Sequence, residues 1–271
     1  MRRLTIPALA LLAALPARAQ ERPAPQGLSV SVGALAITGP SATGSDQRLN
    51  RAFPILNIDS PTFFVGSHPA VFGFGAGVHL SQARGVAWDV GLGYGEGRKE
   101  HRAEVLAGMG DQRAIGWAGT SLTARFGALK AGAVLYHGLA SDGGTLGRLD
   151  LSRSLFLNRR WMVGAGLAAT FADTKAMVRE FGVSPEQAAL RQALVDAGDT
   201  RLRAGEARAF APKGGLRDIT LKANAVHFLD ARWSLIGMAS LTHLMEDAAG
   251  GPLVRSRTTF SAGLGVACKL K

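Results

Sequence analysis

The chain has 271 residues, with 31 Lys and Arg against 20 Asp and Glu (formal net charge +11), 47% hydrophobic residues, 35 glycines and one cysteine. That apolar content, with almost no Pro-rich linker, argues against disorder, and Cys268 alone cannot make an intramolecular disulfide. The arginines are scattered over many segments without interleaved aromatics or a recognised motif, which argues against nucleic acid and leaves attraction to anionic lipopolysaccharide or peptidoglycan as the plainer use of the charge.

The first segment reads as an export signal. Arg2 and Arg3 precede an apolar run over residues 4–15, and Ala17-Arg18-Ala19 supplies the small-x-small pattern that a signal peptidase cuts. Cleavage before Gln20 would remove 1–19, with three arginines and no acid, so that 28 basic residues face 20 acidic ones, a net +8. The apolar run is shorter than the roughly 20 residues a spanning helix needs. No second run of that length follows, so a helical membrane protein is excluded. The remaining 20–271 are read as one domain.

Period two governs the rest of the chain. A strand is predicted over 28–38, and a hairpin from 52–58 and 62–65 is turned by Asp59-Ser60-Pro61. In 71–80, Phe72, Phe74, Ala76, Val78 and Leu80 alternate with Gly73, Gly75, Gly77 and His79. In 85–96, Val86, Trp88, Val90, Leu92 and Tyr94 alternate with Ala87, Asp89 and three glycines. Further strands follow over 113–125, 128–138, 144–156 and 160–171. The segment 172–214 is a long loop holding one helix, in which Ser184-Pro185-Glu186-Gln187 supplies a capping Ser, Pro at the first helical position and Gln at the third. That helix continues to about Val195 and packs over a barrel mouth in preference to docking a partner. Strands over 215–229, 231–243 and 256–270 complete the set. Each segment has one apolar face and one face of Gly, Ala, Ser and Thr.

A soluble sandwich also alternates. Two features favour an all-β, antiparallel up-and-down transmembrane barrel. The segments run about 10–14 residues, against about 5–6 in soluble strands, and their second face is small rather than charged. The links also alternate: 97–112, 139–143, 172–214 and 244–255 are the longer set, while 81–84, 126–127, 157–159 and 230 are short. Long external loops and short periplasmic turns are the bacterial pattern, with the chain ending on the periplasmic side. Ten strands follow without the hairpin and twelve with it; twelve is favoured. Two turns resemble each other, Phe156-Leu157-Asn158-Arg159-Arg160-Trp161 and Phe228-Leu229-Asp230-Ala231-Arg232-Trp233. Both place a tryptophan, Trp161 or Trp233, at the periplasmic aromatic girdle.

A search for chemistry finds no catalytic centre. No glycine run completes G-x-G-x-x-G, and G-x-x-x-x-G-K-[ST], H-E-x-x-H and G-x-S-x-G are missing. One cysteine rules out a cysteine-rich zinc site, and the six histidines lie far apart in sequence, so no metal or cofactor is expected. His79 should face the lumen, with His137, His227 and His243 near strand ends. Ser240, Thr242 and His243 are formal candidates for a rim hydrolase, but spacing supplies neither a base in reach nor an orienting group. Cys268 falls on the lipid face near the periplasmic edge, where an apolar setting leaves a thiol inert. Asp218, Lys222 and Asn224 share one strand face as a lumen polar cluster, with Lys130 and Arg125 as further inward candidates. A salt-bridged, closed lumen is favoured over a narrow pore with cationic walls that selects anions.

Several pieces in order along the chain resemble the MipA/OmpV family of MltA-interacting outer-membrane proteins. They are Gly97-Arg98 with Leu106-Ala107-Gly108-Met109-Gly110-Asp111, then Phe171-Ala172-Asp173, Met177, Phe181-Gly182-Val183-Ser184 and Gln187-Ala188. Gly214-Gly215-Leu216-Arg217-Asp218 follows, then Asp247-Ala248 and Pro252 within 244–254. The Phe181-Gly182-Val183-Ser184 piece with Gln187 is the specific one, whereas glycine-rich strands fit any barrel. Family members usually end in an aromatic residue, where this chain ends Cys268-Lys269-Leu270-Lys271, and the segment 191–209 is longer and more charged than the usual connection. The resemblance implies a non-enzymatic barrel of the cell outer membrane, contacting lipid and lipopolysaccharide. It also implies a scaffold joining a murein lytic transglycosylase to a murein synthase; a small-solute channel with a cationic lumen is the alternative.

Overall fold

The computed structural model describes residues 27–271, so the export signal and its cleavage point lie outside the described residues. Twelve strands form one closed antiparallel barrel. They are β1 (Ser29–Pro40), β2 (Arg48–Asp59), β3 (Phe63–Gly66), β4 (Phe74–Ala83), β5 (Val86–Gly95), β6 (Ile115–Phe126), β7 (Leu129–Gly138), β8 (Thr145–Phe156), β9 (Trp161–Ala172), β10 (Gly215–Phe228), β11 (Trp233–Leu244) and β12 (Thr258–Lys269). Each strand pairs with its sequence neighbours, and β1 closes on β12 in a register running from Ser31↔Lys269 to Thr38↔Ala262. Closure leaves no free sheet edge at β1 or β12, although short β3 meets β2 at only two positions, Ile58↔Val65 and Asp59↔Phe64.

The apolar residues of the alternation face outward. Leu92, Tyr94, Leu122, Phe126, Leu149, Phe260 and Leu264 are exposed on the barrel exterior. So many exposed large apolar side chains around a closed barrel match hydrocarbon and not water. Among the described residues no helix is long and apolar enough to cross a membrane; the crossing is made by strands.

One end of the barrel carries the turns 60–62, 84–85, 127–128, 157–160 and 229–232; the other carries 41–47, 67–73, 96–114, 139–144, 173–214 and 245–257. The twin turns are built alike. Asn158 Oδ1 accepts the amides of Arg160 and Trp161 (2.8 and 3.0 Å), and Asp230 Oδ1 accepts those of Arg232 and Trp233 (2.7 and 2.8 Å). Those two amide donors hold the Asp230 carboxyl below its ordinary range. At the two-residue turn 84–85, Arg84 and Gly85 both have positive φ (52° and 79°), the geometry of a hairpin that follows the strand twist.

β3 departs from the expected pattern, with only four residues. The chain then folds into the lumen over 67–73 and returns to the wall at Phe74. Period two suggested a strand from residue 71 with Phe72 on its apolar face, yet Phe72 lies inside, stacked on Trp117 at 4.6 Å. Gly73, at φ 75°, makes the turn back to the wall. The lumen-facing glycines opposite leave the space. A Cβ on Gly119 would stand 2.3 Å from the Ala70 carbonyl oxygen, and one on Gly93 would stand 2.4 Å from that of Phe72.

Candidate functional site

The long loops at the second end form a lid with its own core. Helix α1 (Thr174–Phe181) is capped by Asp173, whose Oδ1 accepts the Ala176 amide (2.7 Å) while Oδ2 accepts the Thr145 amide (2.8 Å). Burial disfavours the Asp173 charge, but these amides outweigh it and hold its carboxyl below the ordinary value. Met177 and Phe181 lie one turn apart on one face of α1 and are almost fully buried against Ile115, Trp117, Leu146 and Leu244 from the tops of three strands. The lid core is therefore continuous with the upper lumen. The sequence pattern anticipated only α2 (Pro185–Asp196), which starts on the expected capping box: Ser184 Oγ accepts the Gln187 amide and Gln187 Oε1 accepts the Ser184 amide.

The specific family piece joins separate parts of this lid. Phe181 ends α1, Gly182 closes it, and Val183 exchanges two backbone bonds with Phe210 (2.9 Å each). Gln187 Nε2 donates to the Met109 carbonyl at 2.8 Å, so the central piece grips the 106–111 piece directly. Arg191, with no exposed surface, donates to the carbonyls of Val105, Ala107 and Glu206. Arg255 gathers Glu206 (2.8 Å), Glu104 (3.2 Å) and Asp46 (3.7 Å), and its guanidinium is only 3% exposed. Burial opposes ionisation of Glu206, but the Arg255 guanidinium and the Arg203 amide hold its carboxyl below the ordinary range. Arg255 is correspondingly raised, first through its bond to Glu206. Arg191 and Glu206 of the charged segment 191–209 thus brace the lid interior, while most of the segment is exposed.

Beneath the lid lie two cavities. The upper, about 460 Å³, is lined by Arg51, Phe53, Arg217, Asp218 and Thr242. The lower, about 490 Å³, is lined by Lys130, Arg148, Asp150, Lys222 and Asn224 with several small hydroxyl residues. The expected trio is therefore split. Lys222 and Asn224 share the lower cavity, while Asp218 sits above it, accepting from Arg217 Nε (2.7 Å) and Thr220 Oγ1 (3.2 Å). Lys222 donates to Asp150 of β8, which also accepts from Arg148 at 3.3 Å. Arg148 and Asp150 were not singled out, although they alternate with Leu149 and Leu151 and so were legible as lumen residues.

A further cluster escaped sequence reasoning because its members are not neighbours in the chain. His79 faces the lumen as expected, with Nδ1 2.7 Å from Asp89 Oδ1 and Nε2 3.1 Å from Asp59 Oδ1. The inward segment brings His68 beside them, its Nε2 3.8 Å from Asp89 Oδ2. Ser121 Oγ also donates to Asp89 (3.3 Å), and Phe64 stacks on His68 at 3.8 Å. The rim trio does not assemble in this way. Thr242 bonds Thr220 inside the barrel (3.0 Å), whereas His243, on the opposite strand face, bonds Thr258 (2.7 Å).

Trp161 and Trp233 are the first residues of β9 and β11, partly exposed beside the twin turns, and Trp161 packs at a tilt against His227, ring centroids 4.4 Å apart. Cys268 lies on the outer register of β12, opposite Trp233 and Val32, and is buried.

Residues 32–269 match the family described as MltA-interacting protein MipA. Comparison with curated proteins returns no match. Among solved structures, the chain is similar to the COG4313 outer membrane channel from Pseudomonas putida F1, with TM-score 0.43 and 10% identity over 94% of this chain and 99% of that one. It is also similar to outer-membrane OmpT of Vibrio cholerae, with TM-score 0.39 and 5% identity over 89% of this chain and 96% of that one. The NanC porin gives TM-score 0.38 and 8% identity over 90% of this chain and all of that one.

Proposed function

The chain belongs to the MltA-interacting protein MipA family and resides in the outer membrane, and from that premise we propose that it is a closed, non-enzymatic barrel that serves as a periplasm-facing scaffold for murein-remodelling enzymes. One observation carries the closed reading: Phe181 and Met177 of the lid are buried against Trp117 and Leu244 at the top of the lumen. A channel needs a mouth, and a packed apolar core with buried arginine braces is a costly gate to open.

The docking face is the short-turn rim. Arg84, Arg125, Arg159, Arg160, Arg232, Lys269 and Lys271 are all exposed in or beside the short turns, with Asp59 and Asp230 as the acids beside them. A partner with an acidic face, such as an MltA-type lytic transglycosylase, is steered to that rim and held in register by it. A stable interface buries about 800 Å² per partner, more than the turns alone offer, so the N-terminal segment contributes to it. Trp161 and Trp233 fix the depth of the rim in the membrane. The motif residues Phe181, Gly182, Val183, Ser184 and Gln187 act in closing the mouth rather than in touching the partner.

The test is a titration of the folded mature protein in detergent with the organism's own soluble lytic transglycosylase, with an unrelated barrel of similar charge as control. Saturable binding at micromolar or tighter concentration, weakened but not abolished by physiological salt, is expected. Binding no better than the control sinks the scaffold reading. The lower cavity, with Lys130, Arg148 and Lys222 around the single acid Asp150, favours a second reading, a small-anion channel, which conductance in planar bilayers tests.

A further inference from the structure

We propose that His68, His79 and Asp89 form a binding site for a divalent first-row transition metal ion inside the barrel, with Asp59 as a positioning residue behind His79. One donor atom from each of the three lies within 4.8 Å of the others. Three separate pieces of chain supply them: β4, its cross-strand partner position on β5, and the inward segment 67–73.

One distance suits an ion better than a direct bond. His68 Nε2 stands 3.8 Å from Asp89 Oδ2, too far for a hydrogen bond. Two donors on either side of one ion, each at about 2.0–2.2 Å from it, stand up to about 4 Å apart. His79 also carries the outer support that ligating histidines use. With Nε2–H donating to Asp59 Oδ1 (3.1 Å), as a ligating histidine requires, the Nδ1 lone pair faces Asp89. In that tautomer the lone pair meets a carboxylate at 2.7 Å, a contact that a bound metal ion makes favourable. Asp89 is in turn fixed by Ser121, and Phe64 packs against both imidazoles. The side chains of His79 and Asp89 are 6% and 5% exposed, while that of His68 is 21% exposed, so entry is from the lumen side.

The alternative is a purely hydrogen-bonded network, in which His79 Nδ1–H donates to Asp89 at 2.7 Å. It leaves the 3.8 Å separation without a role. It does account for one contact: His68 Nδ1 accepts the Ala70 amide at 3.2 Å, which keeps the His68 proton on Nε2 in the metal-free protein. Loading moves that proton and gives up the Ala70 bond, so His79 and Asp89 form the stronger half of the site and His68 the weaker. Two imidazoles, a carboxylate and no thiolate suit zinc, copper or nickel and not calcium or magnesium. The two aspartates also supply the charge that a dication neutralises.

The experiment uses the folded full-length mature protein in detergent, made without a histidine tag and stripped with chelator. Zn²⁺ is titrated by calorimetry, and Cu²⁺ loading is followed by electron paramagnetic resonance. Expected are one saturable site per chain and nitrogen hyperfine structure from imidazole. His68→Gln, in the inward segment rather than a wall strand, should weaken Zn²⁺ about tenfold, and Asp59→Asn by about 10- to 100-fold, the cost of losing an outer support. His79→Gln should abolish the site, with heat-dependent gel mobility confirming that each variant is folded. No saturable binding overturns the proposal. So does equal binding by wild type and the His68→Gln/His79→Gln double variant, since the ion would then sit on other histidines. Because docking at the rim uses neither His68 nor His79, failure here leaves the transglycosylase titration unaffected.

Discussion

Gly119 shows how much one missing side chain decides. Its face of β6 turns inward, and the Ala70 carbonyl oxygen occupies the place a Cβ would take, with Tyr136 Cδ1 only 2.9 Å away on the other side. Gly119→Val should therefore push the 67–73 segment off the wall, break the Tyr136 bond to the Pro69 carbonyl (2.6 Å) and lower stability by about 1–3 kcal/mol, the usual cost of overpacking. The heat-dependent gel mobility midpoint reads this, and an unchanged midpoint means that the segment does not lie where it is described. The glycine was legible as a lumen residue from alternation alone. Its reason was not, because the backbone that crowds it is 49 positions earlier in sequence, and period two reports which face a residue takes without reporting what stands opposite. The same blindness put Phe72 on the outer face and left His68 and His79 as unrelated residues.

Strands and helices were legible to different degrees for a physical reason. Every expected strand is present within a few residues of its observed bounds, including the hairpin that decides twelve strands over ten. Lipid on one side and lumen on the other enforce alternation over the whole length of a spanning strand. Helix α2 announced itself through its capping box, whereas α1 has eight residues and only Met177 and Phe181 as an apolar signal. Its stability comes from burial and from Asp173, and that makes the lid acid-sensitive. Asp173 and Glu206 both have carboxyls held below ordinary values of 3.8 and 4.5. For such groups the stabilisation is fully present above the ordinary value and is lost as pH falls through the lowered one. Protease cleavage within 173–214 should thus be slow at pH 6 and accelerate below about pH 4, while the barrel stays intact. Glu206→Gln removes the charge that Arg255 pairs with, so cleavage should already be faster at neutral pH and depend less on acid. A wild-type cleavage rate that is flat down to about pH 3 contradicts the role given to these carboxylates.

At the scale of the whole molecule, the pieces of the family pattern matter because the lid reunites them: 106–111, 181–187 and 244–254 are distant in sequence and share buried contacts above one mouth. The barrel below does not depend on that assembly, since its ladder closes through strand pairs alone. Replacing 174–212 by a short Gly-Ser linker should therefore give a folded barrel that has lost its apolar cover. The lumen thus uncovered has a cationic wall, with Lys130, Arg148 and Lys222 against Asp150 around the lower cavity. Ions passing such a wall at close quarters are sorted by its charge. The shortened protein should conduct in planar bilayers with a reversal potential that favours anions, and Lys222→Glu in that background should weaken or reverse the preference. The intact chain should not conduct. If it does, with the same anion preference, the lid is a gate rather than a seal, and the channel reading displaces the scaffold. If the shortened barrel stays silent, the inward 67–73 segment closes the lumen by itself. Adding Gly119→Val to the shortened chain then decides the matter, because that substitution acts on the inward segment itself.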